Sequence, residues 1–250
     1  MELLNLSTQD FAILAAIVAV AGIVRGFSGF ALSALVMASG VLILPPVELI
    51  PICWCLEMTA SLLMARSGWQ EADRGVVFGL VAGSAVGVPI GLTLLNWMSV
   101  ETSKAFALAL IIVLAATQLA KIRIAFLATR PGLYLAGVLA GTATGLAAVG
   151  GMVVALYVLS QDAKAAKMRA ALVLYLFVSL LISVVYYLLA GIMDGQALAR
   201  GTALALFAAA GVFVGQRLFT ERLAPYYRPF CLSLLMGLAC FGLIKQVVAL

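Results

Sequence analysis

Residues 22–30 interrupt the first long apolar run of the chain with a charge and three glycines, and they read Gly22-Ile23-Val24-Arg25-Gly26-Phe27-Ser28-Gly29-Phe30. An arginine within a hydrophobic segment is costly in a bilayer, and glycines weaken a helix. The segment therefore predicts either a helix that breaks here or a site where the backbone itself has a function.

The composition around this segment is that of an integral membrane protein. Hydrophobic residues make up 65% of the 250 positions and charged residues only 10%. A soluble domain carries about 25% charged residues. Apolar runs of about 20 residues recur along the chain, which predicts spanning helices rather than a β-barrel. No long linker separates them, so residues 1–250 are expected to form a single membrane transport domain.

Two of the apolar segments are interrupted, and the others are continuous. The interrupted pairs are 11–24 with 30–44 and 132–144 with 149–159, and the continuous segments are 47–65, 75–95, 104–120, 170–190, 200–216 and 229–248. Each arm of an interrupted pair has about 10 to 15 residues, too few to cross a hydrocarbon core of ~30 Å. Each pair is therefore either one broken crossing or a re-entrant hairpin.

The lysines and arginines in the loops favour the hairpins. If both pairs are hairpins, one side of the membrane receives 11 basic residues and the other side 3. If both pairs cross, the two sides receive 7 each. Cytoplasmic loops carry the excess of positive charge. This count predicts a multi-pass protein of the cell inner (plasma) membrane, with loops 66–74, 121–130, 160–169 and 217–228 in the cytoplasm and both termini external.

The hairpin topology also predicts two inverted repeats, of about residues 1–122 and 130–250. One hairpin and three spans make an odd number of crossings, so the halves would be oppositely oriented. Gly26 matches Gly145 at an offset of 119, and other weak matches follow in the same order. The predicted fold is an all-α polytopic membrane protein in which each repeat is a re-entrant, broken helical hairpin plus three transmembrane helices. Transporters use this architecture.

The first interruption has the chemistry to hold an anion. Gly26 and Gly29 leave their amides accessible, Ser28 adds a hydroxyl, and a helix beginning at this tip would add N-terminal donors. Arg25 supplies a full charge and a planar fork that suits an oxyanion. Arg25 could instead pair with Glu57 as a structural tie.

A second glycine-rich interruption lies at residues 141–151. Thr142 and Thr144 can offer hydroxyls, and Gly145 and Gly150 can offer backbone amides. The alternative for this segment is the tight helix packing that small residues allow. The sequence leaves both interpretations open.

Two further features lie inside predicted spans, an acidic residue and a row of glycines. Glu57 is the one acidic residue deep within a predicted span, so it could carry a coupling proton or pair with Arg25 without any transport role. The row Gly83-x-x-x-Gly87-x-x-x-Gly91 predicts close helix packing.

The sequence gives little support to an enzyme. It lacks metalloprotease, nucleophile-elbow and phosphate-loop motifs, and it contains no histidine. The basic residues lie in short loops, where they report topology rather than nucleic-acid binding. We therefore expect no catalytic residues, no cofactor, no metal and no nucleic-acid partner.

Both interruptions resemble the signatures of the sulfite exporter TauE/SafE family, also called the TSUP permeases. Members often read R-G-F-x-G-F-G in the first half and G-x-x-x-G-x-G-G in the second. Residues 25–30 fit the first signature, with Ala31 where a glycine is usual. Residues 145–151 fit the second, with Ala148 in place of a glycine. The layout of the halves resembles the family over nearly the whole chain.

The resemblance implies a secondary transporter, an exporter by its family, of small sulfur-containing anions. These are sulfite or organosulfonates such as sulfoacetate or isethionate. The anion would lie between the two hairpin tips near the membrane midplane, and the candidate binding residues are Arg25, Gly26, Ser28, Gly29, Thr142, Thr144, Gly145 and Gly150. No nucleotide-binding motif is present, so a proton or sodium gradient or the membrane potential would drive transport. An anion channel, a permease for other small organic anions and a membrane-embedded structural subunit without transport remain alternatives.

Overall fold

Helices make up most of the described chain, which a computed structural model defines over residues 4–122, 124–161, 165–218 and 224–248. Within these ranges no β-strand is formed. In chain order the helices are α1 Thr8–Ser28, α2 Leu32–Gly40, α3 Pro46–Glu71, α4 Arg74–Trp97, α5 Val100–Leu119, a 3₁₀ helix Ala125–Ala128, α6 Arg130–Ala147, α7 Gly150–Leu159, α8 Ala165–Leu189, α9 Gly195–Leu218 and α10 Ala224–Val248.

The lengths of these helices separate spanning helices from short arms. Among the described residues, seven helices are long and apolar enough to cross a membrane: α1, α3, α4, α5, α8, α9 and α10. Helices α2 and α7 have 9 and 10 residues. At 1.5 Å per residue they are about 15 Å long or less, so neither crosses a bilayer core of ~30 Å. The prediction of an all-α polytopic membrane fold is confirmed.

The first helix does not break at Arg25. Helix α1 continues through Arg25 to Ser28 over 21 residues, so the predicted arm of 11–24 is too short. The break lies at Gly29 and Ala31, whose φ angles are +83° and +77°. The two earlier glycines, which suggested a break, remain helical because they pack against another helix.

The second break also begins where a long helix ends on a left-handed residue. Helix α6 extends to Ala147, beyond the predicted arm of 132–144, and ends at Ala148 with φ +56°. The Ala148 amide donates to Thr144 O at 2.9 Å, as in helices that end on a left-handed residue. Helix α7 begins at Gly150, one residue after its predicted start.

Glycine rows join each long hairpin arm to a helix of the other half. Gly22 lies against Gly211 and Gly26 against Gly215, so α1 and α9 run in the same direction. A Cβ on Gly26 would collide with Val212 O. Close approach of two backbones requires residues this small.

The second glycine row lies between α4 and α6. Gly83 lies against Gly137 and Gly91 against Gly145, so these helices also run in the same direction. A Cβ on Gly145 would collide with Val88 O. The packing role predicted for the glycines of α4 is confirmed.

Arg200 brings together the starts of α1, α3 and α9. Its Nη1 donates to Glu48 Oε2 near the start of α3. Its Nε donates to Leu4 O at 2.6 Å and its Nη2 to Asn5 O at 3.2 Å, just ahead of α1. Helices α1 and α3 therefore begin at the same end of the molecule, here called the Arg200 end. The chain returns to that end through α2, so the first interrupted pair is a hairpin.

The second interrupted pair is a hairpin at the opposite end. Gly79, early in α4, packs on Leu133, early in α6. Gly68, near the end of α3, packs on Val173, early in α8. Helices α4, α6 and α8 therefore begin together, at what is here called the basic end because Arg74 starts α4 there. The chain returns to the basic end through α7.

Corresponding helices of the two halves thus begin at opposite ends. Helices α1 and α3 begin at the Arg200 end, and their counterparts α6 and α8 begin at the basic end. Packing of α3 on α8 and of α5 on α10 joins the halves. Inverted repeats would have this arrangement, but the inverted repeat and the external termini stay predictions.

Candidate functional site

Arg25 lies fully buried at the first hairpin tip. Its Nε donates to Glu57 Oε2 at 2.8 Å, and its Nη2 donates to Ser61 Oγ at 3.0 Å. Its Nη1 donates to Gly29 O, the carbonyl of the residue at the break. Arg25 therefore ties the end of α1 to α3 and to the turn that follows α1.

Glu57 forms the other half of this buried ion pair. Its Oε1 accepts from Ser33 N at 3.2 Å and from Ser33 Oγ at 2.9 Å. Ser33 lies in the first turn of α2, so the carboxylate lies at the positive end of that helix. The helix predicted to begin at the tip begins only at Leu32, and the anion at its N-terminus is Glu57.

The remaining predicted residues of the first tip form hydrogen bonds and packing contacts with other parts of the protein. Ser28 Oγ lies 2.7 Å from both Val24 O and Phe30 O. The Gly29 amide donates to Arg25 O at 2.9 Å, which caps α1. Together with the packing of Gly26 on α9, these contacts fix the shape of the tip. The substrate contacts predicted for these residues stay predictions.

The second tip holds its hydroxyls against its own helix. Thr142 Oγ1 donates to Val138 O at 3.0 Å, and Thr144 Oγ1 donates to Ala140 O at 2.8 Å. A Cβ on Gly150 would meet Thr144 Oγ1, so the start of α7 packs closely on α6. The tip is compact and carries no charge.

Tyr175 of α8 joins the second tip to α4 and was not predicted. Its side chain is fully buried, and Tyr175 Oη donates to Ser84 Oγ at 3.1 Å. Thr144 and Ser179 are further hydrogen-bonding neighbours of this hydroxyl. Four neutral hydroxyl groups from α4, α6 and α8 therefore meet beside the second tip.

Arg169 of α8 reaches the first tip from the other half of the chain. It lies inside the helix, since α8 begins at Ala165, and not in the predicted loop of 160–169. Its Nη2 donates to Gly26 O. Its Cγ lies 2.8 Å from the position that a Cβ on Gly29 would take, so its stem packs directly on the turn.

The residues around the first tip are strongly charged. Arg25 donates to Gly29 O and Arg169 donates to Gly26 O, so both guanidinium groups bond to carbonyls of this tip. Arg25 is fully buried, whereas Arg169 is only partly buried. The tip therefore has one inner guanidinium and one outer guanidinium.

The sequence that forms this site matches a known protein family. The family model of the sulfite exporter TauE/SafE matches residues 14–241, nearly the whole chain. The chain belongs to the sulfite exporter TauE/SafE family. Membership indicates a sulfite exporter or transporter, and the seven apolar helices make the chain a multi-pass membrane protein. No match was found among the curated proteins or among the solved structures.

In this TauE/SafE chain the predicted site residues form two separate groups. Arg25, Ser28 and Gly29 lie together at the first tip, and Thr144 and Gly150 lie together at the second. Among the described residues, no group of three or more His, Cys, Asp and Glu side chains is placed to hold a metal ion.

Sequence reasoning missed Arg169 and Tyr175 for different reasons. Arg169 precedes the apolar run by one residue, so it was counted with the charged loop although α8 begins four residues earlier. Tyr175 lies inside an apolar run and has no charge to distinguish it from the other aromatic residues of α8. The hydroxyl of Ser179, one helical turn after Tyr175, was the available signal for a polar stripe on this helix.

Proposed function

We propose that this chain is a secondary transporter, acting as an exporter, of a small sulfur-containing anion. The substrate is sulfite or an organosulfonate such as sulfoacetate or isethionate. The whole chain forms one transport domain in the inner membrane with both termini external. The substrate binds between the hairpin tips near the midplane, at Arg25, Gly26, Ser28 and Gly29 of the first tip and at Thr142, Thr144, Gly145 and Gly150 of the second.

The observation that carries this proposal is the set of donors around the Glu57 carboxylate. Arg25 donates to one oxygen, and the backbone and hydroxyl groups of Ser33 donate to the other. A sulfonate or sulfite group presents oxygens at a similar spacing and with the same sign of charge. Donors that hold one oxyanion group are suited to hold another.

Glu57 acts in this proposal as the internal counterion of the site. A buried arginine left without a partner is strongly unfavourable, so Glu57 holds the donors until the substrate takes them. Protonation of Glu57 would release Arg25, which gives a route for coupling to a proton gradient. A sodium gradient is the alternative driving force.

Transport of a named anion by the purified protein tests this function. Proteoliposomes containing the full chain are loaded with sulfite, sulfoacetate or isethionate, and uptake of the labelled anion is followed. We expect saturable uptake that is accelerated by the same anion on the opposite side. Arg25→Lys, which keeps the charge and loses the fork, should reduce this uptake.

The alternatives give different results in the same vesicles. A channel would conduct without saturation and without acceleration by anion on the opposite side. A structural subunit would give only the leak of protein-free vesicles. Competition by small carboxylates but not by sulfonates would indicate a permease for other organic anions and contradict the proposed substrate.

The coupling ion is tested by imposing one gradient at a time. A pH gradient should drive uptake in the wild type, and Glu57→Gln should abolish the response to pH while exchange of anion for anion persists. Pairing alone predicts that Glu57→Gln leaves the pH response of any remaining flux unchanged. A response to sodium and none to pH would assign the coupling to sodium.

Membrane orientation needs a separate experiment. The basic end is the cytoplasmic end in this proposal, so a reporter fused after residue 250 should be active only if it functions outside the cytoplasm. Activity of a cytoplasm-specific reporter at that position would contradict the external termini.

A further inference from the structure

Ser61 places a hydroxyl group with an unused proton at the first hairpin tip. Its side chain is fully buried on α3, one helical turn after Glu57. Ser61 Oγ accepts from Arg25 Nη2 at 3.0 Å. Among the described residues, none accepts a hydrogen bond from Ser61 Oγ in return. A buried hydroxyl group normally donates as well as accepts, so a ligand could provide the missing acceptor.

Other hydroxyl groups inside the helices use their protons within their own helix. Thr59 Oγ1, two residues before Ser61, donates to Cys55 O at 2.9 Å. The two threonines of the second tip also donate to the carbonyl four residues earlier. Ser61 Oγ instead bonds to the Arg25 guanidinium, which leaves its proton available at the charged part of the first tip.

The number of oxygens in the ligand decides whether this proton can be used. Both oxygens of Glu57 are occupied, because Oε2 accepts from Arg25 and Oε1 accepts from the backbone and hydroxyl groups of Ser33. A carboxylate therefore uses Arg25 and Ser33 and needs no further donor. Sulfite and sulfonate groups carry three oxygens, so the third oxygen needs a third donor.

We propose that Ser61 is a substrate-binding residue that donates to the third oxygen of a sulfite or sulfonate group and thereby selects these anions over carboxylates. This inference rests on the proposed function, because the substrate must first replace the Glu57 carboxylate at Arg25 and Ser33. The bond from Arg25 polarises the Ser61 hydroxyl, which makes its proton a better donor. Because the three donors belong to α1, α2 and α3, a three-oxygen anion would bond to all three helices at once.

Two anions that differ only in the charged group test this selection. Isethionate and 3-hydroxypropionate share the same hydroxyethyl chain, and they end in a sulfonate and a carboxylate. The full-length protein is purified in detergent, and its thermal midpoint is measured against concentrations of each anion and of sulfite. Ser61→Ala removes the donor. Ser183→Ala is the control, because Ser183 is equally buried but already donates to Leu180 O at 3.3 Å.

We expect Ser61→Ala to weaken isethionate and sulfite binding about tenfold, as for the loss of one hydrogen bond to a charged group, and to leave 3-hydroxypropionate binding unchanged. The ratio of the sulfonate affinity to the carboxylate affinity should therefore fall about tenfold, and Ser183→Ala should keep the wild-type ratio. A role limited to holding Arg25 in position predicts equal losses for both anions. An unchanged ratio would overturn the inference.

Further variants cover the cases in which this comparison cannot be made. If Ser61→Ala does not fold, Ser61→Cys replaces it, because a thiol is only a weak donor, and an unchanged ratio there overturns the inference by itself. If the carboxylate does not bind to the wild type, Ser61→Thr, which keeps the hydroxyl, should bind isethionate more tightly than Ser61→Ala. Equal affinities of these two variants would overturn the inference.

Failure of this inference is distinguishable from failure of the proposed function. A wild type that binds isethionate or sulfite, together with Ser61→Ala of the same affinity, would overturn the role of Ser61 and leave the proposed function in place. A wild type that binds neither isethionate, sulfoacetate nor sulfite would refute the proposed function, and this inference with it.

Discussion

The two hairpin tips share a scaffold and differ in their chemistry. The offset of 119 that relates the glycines of the two halves also pairs Arg25 with Thr144 and Gly29 with Ala148. At each tip, a long arm packs through glycines on a helix of the other half and ends at a residue with positive φ. The two long arms are therefore packed and terminated alike, although the first tip has a second left-handed residue, Ala31, which the second tip lacks.

The chemistry beside each tip is different. Arg25 bonds to Glu57 on α3, whereas Thr144 neighbours Tyr175 on α8, the helix that corresponds to α3. One tip contains an ion pair and the other a group of neutral hydroxyls. The comparison indicates that small residues fix the scaffold, while one or two side chains per tip decide what each tip can bind.

Removal of one charge from the first tip should produce the largest loss of stability. Arg25→Met leaves Glu57 buried with no counterion. Breaking a buried pair costs about 3–5 kcal/mol. The equivalent change at the uncharged tip, Thr144→Val, should cost about 1 kcal/mol because it removes a neutral hydroxyl, which bonds to Ala140 O and neighbours Tyr175. Unfolding of both variants in detergent measures the difference.

The double variant Arg25→Met with Glu57→Met is the internal control. It removes both charges, so no charge is left unpaired, and most of the stability should return. Losses that simply add up in the double variant would mean that the two side chains act independently, contrary to the ion pair.

Adding one methyl group to the glycine rows should destabilise both tips equally. Gly26→Ala would press on Val212 O, and Gly145→Ala would press on Val88 O. Overpacking of this kind costs about 1–3 kcal/mol. Gly237→Ala is the matched control, since nothing lies near its Cβ, and it should be neutral or slightly stabilising. A loss at one tip only would separate the two scaffolds.

The sequence was a good guide to the scaffold because the scaffold depends on repeated, local features. Apolar length predicts the spanning helices, and the loop charges predict the two hairpins. The ends of the long arms were wrong, since the helices continue to Ser28 and Ala147, and at the first tip the reason is that Gly22 and Gly26 have the composition of a broken helix. Only the facing glycines of α9, nearly 190 residues later in the chain, reveal that these positions are packed and helical.

The candidate site was predicted less well because its contacts join distant helices. The Arg25–Glu57 pair was one of two alternatives, since a charge in an apolar run requires a partner but does not name it. Arg169 and Tyr175 could not be assigned, because their roles depend on which face of α8 meets each hairpin. The rotation of α8 about its axis is set by its packing against α3 and α4, and the sequence carries no separate signal for it.

Loss of the Tyr175 hydroxyl should have a smaller effect than loss of a charge. Tyr175→Phe leaves Ser84, which is also buried, without its partner. Such a change costs about 1–2 kcal/mol. Tyr134→Phe, an exposed position on α6, should be neutral and controls for the removal of a hydroxyl. If Tyr175→Phe unfolds like the wild type, the hydroxyl group beside the second tip contributes no stability.

Replacement of the two strained alanines by glycine should change the stability least, and it should raise the stability rather than lower it. Ala31 and Ala148 stand where the family signatures have glycine, and both have positive φ. A left-handed conformation costs a residue with a Cβ about 1–2 kcal/mol, partly offset by the greater chain entropy of glycine. Ala31→Gly and Ala148→Gly should therefore each raise stability by about 0.5 kcal/mol, whereas Ala16→Gly, at an exposed helical position in α1, should lower it by about 1 kcal/mol. A gain at Ala148 and a loss at Ala31 would mean that the first tip relies on the rigidity of its alanine, and the shared geometry of the two tips would then conceal a difference in stiffness.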